Sequence, residues 1–271
     1  MNLELNNKLH GFVLEQIKDI EDAKGTLYMF RHEQTNAELC WLKRDDNNKT
    51  FAITFKTIPD NDTGVFHILE HSVLNGSKKY PVREPFVELL KSSLQTFLNA
   101  FTYPDKTMYP VSSRNDKDYM NLISVYMDAV FQPAIYTNPN IFLQEGWHYQ
   151  IHDANEEMEY SGVVLNEMKG AFSSVDETIV DELNRMLFPD NCYKYVSGGD
   201  PRYITDLTYE KFIETHQKFY HPSNARIWVD GNLDIDEVLR FIHEEYFVNY
   251  QKEEMDFAIP MQKVLPAVHN R

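Results

Sequence analysis

His67-Ile68-Leu69-Glu70-His71 places two imidazoles and a carboxylate within five residues, and the chemistry open to that set is hydrolysis by a metal-activated water. On a helix, residues four apart lie on one face, about 5–6 Å apart at Cβ, so His67 and His71 can share one ion. Zinc favours such nitrogen donors. Glu70 falls on the same side, where it can reach the water instead of the ion and act as general base. The order H-x-x-E-H reverses the commoner H-E-x-x-H. A catalytic zinc takes three protein ligands and keeps a fourth position open, so a third ligand must come from elsewhere in the chain.

His148 and His152 are also four apart, but Trp147-His148-Tyr149-Gln150-Ile151-His152 alternates like a strand, on which His148, Gln150 and His152 share a solvated face. His216 and His221 flank a helix end, where they cap or pack. Glu167 lies in an apolar helix beside Val163, Val164 and Met168, where a buried carboxylate is costly unless it is paired or metal-bound. On the residues alone, both readings of Glu167 stay open.

The elements that must position these groups are legible as follows. Phe12–Leu14, Thr26–Phe30, Ala37–Leu42 and Phe51–Phe55 are short apolar or aromatic runs separated by polar turns, which predicts an antiparallel meander. The metal helix spans about 63–75, with Asp62 or Thr63 as its cap and Asn75-Gly76 as its stop. A second helix is expected near 83–94, with Phe86, Leu89, Leu90 and Leu94 at helical spacing. Phe97–Tyr103 and Thr107–Val111 flank a Pro104-Asp105-Lys106 turn and form a hairpin. A long helix at 116–131 carries Tyr119, Leu122, Ile123, Tyr126, Met127 and Val130 on one stripe. Strands near 147–152 and 157–160 lead to a helix from 162. Helices at 176–188, 208–219 and 234–246 follow, with a strand at Ala225–Val229 before the last. Strands first and helices after predict an α+β fold, a mainly antiparallel sheet covered by helices.

The 271 residues suffice for one large domain or two small ones. A formal charge of −16 disfavours nucleic acid and suits basic peptides as partners. No run of apolar residues is long enough for a membrane helix, and the first residues resemble neither a signal nor a transit peptide. With only two cysteines, Cys40 and Cys192, a cytoplasmic location with free thiols is expected. The pattern decays from Gln251, so residues 1–250 read as the domain and 251–271 as the start of a linker to a missing following domain.

His67-x-x-Glu70-His71, with Glu167 96 residues after His71 in Gly162-Val163-Val164-Leu165-Asn166-Glu167-Met168-Lys169-Gly170, resembles the pitrilysin–insulinase family of zinc metallopeptidases, closest to its presequence-peptidase branch. Gly76–Pro81, Phe97–Thr107, Ser197-Gly198-Gly199-Asp200-Pro201 and Tyr220–Ala225 carry the same resemblance, which runs from about residue 10 to residue 235. It implies a mitochondrial-processing-peptidase-like fold, one zinc per chain held by His67, His71 and Glu167, and Glu70 as base of an endopeptidase. It further implies that Asn99 and Ala100 belong to an edge strand that pairs with an extended peptide. The Gly198–Pro201 loop reads as structural. Relatives outside this branch carry a second acid seven positions before the ligand; here Tyr160 stands there beside Glu159, and neither receives a role.

Full-length relatives are several times longer and form a clamshell whose second half helps to hold substrate, so the resemblance implies weak or absent activity for this chain alone. Two alternatives remain at this stage. One is a non-catalytic peptide-binding homologue. The other is an S-ribosylhomocysteine-lyase-like enzyme, with Cys192 as third ligand. The spacing does not choose zinc over manganese or cobalt.

Overall fold

The computed structural model describes residues 3–264 apart from 83, 84, 154 and 156, and nothing of the side chains of Pro85, Val87 and Leu90. Among the described residues the strands are β1 Lys8–Leu9, β2 Phe12–Ile20, β3 Gly25–His32, β4 Glu38–Lys43, β5 Lys49–Lys56, β6 Gln95–Leu98, β7 Phe101–Thr102, β8 Lys106–Ser113, β9 His148–Gln150, β10 Glu159–Ser161 and β11 Ala225–Asp230. The helices are α1 Val65–Val73, α2 Pro85–Ser92, α3 Asp116–Phe131, α4 Asn140–Glu145, α5 Val163–Ala171, α6 Val175–Leu187, α7 Tyr209–Phe219 and α8 Ile235–Glu245. The expected class holds: a mainly antiparallel sheet with helices.

The meander is only half right. β2, β3 and β4 pair antiparallel in sequence order, but β11 lies between β4 and β5, parallel to the first and antiparallel to the second. β8 then joins β5, and β6 and β7 both pair with β8. Residues 206–250 thus contribute a central strand to the sheet that carries the first hundred residues. Along β11, Ala225, Ile227 and Val229 are buried while Arg226 and Trp228 are exposed, as a half-solvated sheet requires. The core fills the space between the sheet and α1, α3, α7 and α8, with Phe51, Ile53, Phe55, Tyr126, Val130, Phe212 and Leu239 all buried. No helix among the described residues is long and apolar enough to cross a membrane.

One expectation about an end changes. The N-cap of α1 is Gly64 at φ +66°, with no side-chain cap, because Asn61 holds Thr63 and Asp62 faces away toward Arg185. The stretch from Gln251 has no regular structure but is not detached. Phe257 stacks on Phe219 at 4.6 Å, and Asn191 donates to the Pro260 carbonyl. Residues 265–271 lie outside the described residues, as do positions 83 and 84 of the second helix.

His32 and His216 are buried and neutral. The Thr35 N–H donates to His32 Nδ1 (3.2 Å), so His32 Nε2–H donates to His243 Nδ1 (3.0 Å). His216 donates from Nε2 to the Val130 carbonyl (3.0 Å) and accepts at Nδ1 from the Tyr136 hydroxyl (2.6 Å). Burial pushes His32 down to about 4 and His216 down to about 3. Unfolded copies protonate near 6.5, so between that pH and about 4 the unfolded state binds more protons, and stability falls as pH falls. The expected loss is on the order of 1 kcal/mol per pH unit per histidine. Urea midpoints measured at pH 7 and pH 5 should show it, and His216→Gln should remove about half of the slope. Equal midpoints in the wild type would contradict it.

Candidate metal centre

α1 buries Val65, Phe66, Ile68, Leu69 and Val73, which leaves His67 and His71 partly exposed toward a cleft beneath α5. The helix starts where it does because Gly64 turns the chain with φ +66° and its carbonyl accepts from the N–H groups of His67 and Ile68. A Cβ at Gly64 would stand 2.6 Å from the Gly198 carbonyl oxygen, so the two glycine segments touch because neither has a side chain.

That contact places a hydrogen-bond acceptor beside the site. His67 Nδ1 lies 3.0 Å from the Gly198 carbonyl, and a carbonyl can only accept, so His67 carries its proton on Nδ1 and frees Nε2. His71 Nδ1 lies 3.3 Å from Glu145 Oε2, which fixes the second ring in the same tautomer. Both free nitrogens face Glu167 Oε2, at 3.7 Å from His67 and 3.8 Å from His71. The three donor groups lie within 4.8 Å of one another and form the metal-type cluster found among the described residues.

Tetrahedral zinc at about 2.0–2.2 Å from its ligands holds neighbouring donor atoms about 3.3 Å apart. The two gaps to Glu167 exceed that by a few tenths of an ångström, and with all three donors within 4.8 Å of one another the chemistry of the set suits the ion. Burial would lower the His71 imidazole, but the Glu145 hydrogen bond and the charges of Glu70, Glu145 and Glu167 outweigh it and raise its pKa. Metal binding must therefore expel a proton held more firmly than usual.

Glu70 is buried on the same helix and does not point its carboxylate into the cluster as a fourth ligand. The Thr102 hydroxyl donates to Glu70 Oε2 at 2.6 Å, which fixes the group and leaves Oε1 for another partner. Burial pushes the Glu70 carboxyl up, against the opposing pull of Thr102, His67 and His71. A base of raised affinity beside a metal-type site is what water activation at neutral pH requires.

The cleft measures about 470 Å³ and is lined by His67, Glu70, His71, Thr102, Glu167 and Gly198, with Asn99 and Ala100 at its rim. Asn99 and Ala100 fall in the break between β6 and β7, outside either strand. The Asn99 N–H donates inward to the Pro110 carbonyl, and the Asn99 side chain accepts from the Ala100 N–H at 3.0 Å. They sit at the exposed edge of the sheet, beside the cleft.

The premise used for Glu167 is overturned. Its side chain is 55% exposed, so no burial penalty singles it out; α5 presents it to the open cleft from one turn beyond buried Val164 and Leu165. The solvated face expected for His148 and Gln150 is not found, since both are half-buried in β9 while Tyr149 between them is exposed and His152 lies beyond the strand; the expectations for His216 and His221 hold. His148 donates from Nδ1 to the Leu143 carbonyl, His216 is packed, and His221 accepts from the Ser223 N–H as a cap. Cys192 stands outside the cluster, and burial pushes its thiol up, away from the thiolate a metal needs. Tyr160 packs on Trp147 and Tyr149.

Two contributors escaped the sequence reading. Thr102 lay in the hairpin string without a role. Glu145 carried the signal wrongly credited to Glu167: an acid at the end of a short helix with buried Ile141 and Phe142, itself 6% exposed. Asn75 and Gln144 both donate to its Oε1, so it is the buried, fully partnered carboxylate of the site.

Residues 58–172, which hold His67, Glu70, His71, Thr102, Glu145 and Glu167, match the model of the insulinase family, peptidase family M16. The chain belongs to the insulinase family. Residues 206–270 match the model described as the peptidase M16 inactive domain. The chain is 54% identical over 263 residues to Protein HypA of Clostridium perfringens, across 97% of this chain and 27% of that protein. It is 50% identical over 234 residues to presequence protease 1, chloroplastic/mitochondrial, of Arabidopsis thaliana, across 86% of this chain and 22% of that one. Within the insulinase family it is thus presequence-protease-like. The crystal structure of pitrilysin superposes with a TM-score of 0.71 at 17% identity, over 96% of this chain and 26% of that chain, and shares the fold. The chain spans about a quarter of the length of these relatives.

Proposed function

We propose that this insulinase-family domain is the catalytic domain of a zinc-dependent endopeptidase that cleaves peptides or short unfolded polypeptides. The observation that carries the proposal is the convergence of His67 Nε2, His71 Nε2 and Glu167 Oε2 beside the buried carboxylate of Glu70. When bound, zinc would supply a water of lowered pKa and a positive charge for the developing oxyanion.

The chain's own residues supply the rest. His67 and His71 offer Nε2 because Gly198 and Glu145 hold their Nδ1 protons. Glu70 takes the proton of the attacking water on the oxygen not engaged by Thr102, then returns it to the leaving amine. Asn99 and Ala100, at the sheet edge, align an extended peptide by backbone pairing, and the Asn99 side chain must first release the Ala100 N–H. Backbone pairing reads few side chains, and the net charge of −16 favours basic substrates.

Residues 1–250 form the domain in this proposal, and 251–271 begin the passage to further polypeptide, in a cytoplasmic protein. A two-half enzyme, in which the second half completes the cleft, accounts for the weak activity expected of the chain alone. Nothing in the geometry favours a lyase with Cys192 as ligand, and an intact base speaks against a purely peptide-binding role. Elemental analysis for zinc, on the chain and on Glu167→Ala, tests the proposal.

A further inference from the structure

α6 has no buried residue, yet from its last turn Arg185 reaches three carboxylates, one on α6 itself and two on other segments. Nη1 and Nη2 each lie 3.1 Å from an Asp62 oxygen, Nε lies 3.0 Å from Asp181, and Nη2 lies 3.7 Å from Asp200. These acids are 12%, 12% and 0% exposed, whereas the apolar side chains of the same helix, Val175, Ile179 and Met186, face solvent. Arg185 therefore ties α6 to two carboxylates on the body of the domain.

What it ties is the frame around His67. Asp62 Oδ1 accepts from the Val196 N–H (2.9 Å), and the Asp62 carbonyl accepts from the Asp200 N–H (2.9 Å). The segment that starts α1 is thereby stitched at two points to the 196–200 loop. Midway between those points lies the Gly198 carbonyl, 3.0 Å from His67 Nδ1. The loop has little room to shift without breaking this pattern. A Cβ at Gly199 would stand 3.0 Å from Gly64 Cα, and one at Gly198 would stand 2.8 Å from Met168 Sδ on the helix that carries Glu167.

Charge decides whether the stitching holds. Arg202 also pairs with Asp200, and its hydrogen bonds outweigh burial to keep that carboxyl below its usual range. Among the described residues, nothing but Arg185 pairs with both Asp62 and Asp200. Without it, Asp62 loses its paired cation and only Arg202 remains on Asp200, so no charge bridges the two segments whose contact sets the Gly198 carbonyl.

We infer that Arg185 is a positioning residue for the metal centre: by bridging Asp62 and Asp200 it holds the Gly198 carbonyl against His67 Nδ1, and so keeps His67 Nε2 free for the ion. This rests on the reading of His67 as a ligand. A partner that supports a metal-ligating histidine is worth about 10–100-fold in metal affinity, and Arg185 acts one step behind such a partner.

The test measures two quantities in the whole chain: zinc affinity, by competition with a chromophoric chelator, and the His67 tautomer in the zinc-free chain, by nitrogen NMR of the imidazole. Arg185→Met should weaken zinc about tenfold and mix the His67 tautomers. Arg185→Lys, whose ammonium can reach Asp62 but not bridge, should restore part of both. Two controls separate positioning from general stability. Asp181→Asn removes only the contact within α6, and Arg31→Met breaks a comparable ion cluster with Glu15 and Glu38 on the far part of the sheet. Both should lower the melting temperature and leave zinc affinity within about twofold. Wild-type affinity and a single tautomer in Arg185→Met would overturn the inference. If that variant does not fold, unchanged affinity in Arg185→Lys overturns it equally. Should the wild type bind no zinc at His67, the proposed function fails while the tautomer measurement still decides the role of Arg185.

Discussion

Glu70→Gln is expected to keep one zinc per chain and to lower peptide hydrolysis by about 10²–10⁴-fold, a barrier increase of roughly 3–5 kcal/mol. Glutamine preserves the side chain's volume and still accepts from the Thr102 hydroxyl, so the cleft and the neighbouring ligands keep their places. What it cannot do is take a proton and return it to the leaving amine. Cleavage of a quenched fluorescent peptide, measured in the polypeptide that includes the remaining length found in the relatives, gives the rate; zinc content gives the control. An unchanged rate would exclude Glu70 as base. Lost zinc would mean that the carboxylate holds the ion itself.

The second large effect falls on Glu145, which no motif marks. Glu145→Ala is expected to weaken zinc binding about 10–100-fold. The carboxylate fixes the His71 proton on Nδ1, and its charge steadies the imidazole as the ion arrives. Alanine removes both effects, and the ring is then free to offer either nitrogen. Glu145→Gln should fall between alanine and wild type, since an amide oxygen still accepts the Nδ1 proton without the charge. Chelator competition on the three proteins orders them; equal affinities would show that His71 needs no support.

Where local pattern decides structure, the sequence was legible. The stripe from Tyr119 to Val130 fixed α3 at Asp116–Phe131, and the turn at Pro104–Lys106 separates β7 from β8. Strand order was not legible between β4 and β5, because the strand that separates them arrives from residues 225–230 and no periodicity encodes that pairing. Polarity misled at α5, where Glu167 looked buried among apolar neighbours but faces the cleft. The site's supports were hidden for a different reason. Gly198, Glu145 and Thr102 act through one carbonyl, one carboxylate and one hydroxyl, whose partners lie 131, 74 and 32 residues away.

The measurement that bears most directly on the metal centre is elemental analysis of the wild-type chain beside Glu167→Ala and Cys192→Ala. One zinc per wild-type chain, lost in Glu167→Ala and kept in Cys192→Ala, is the predicted result. Zinc retained in Glu167→Ala, or lost in Cys192→Ala, would contradict the ligand set on which the proposed function stands.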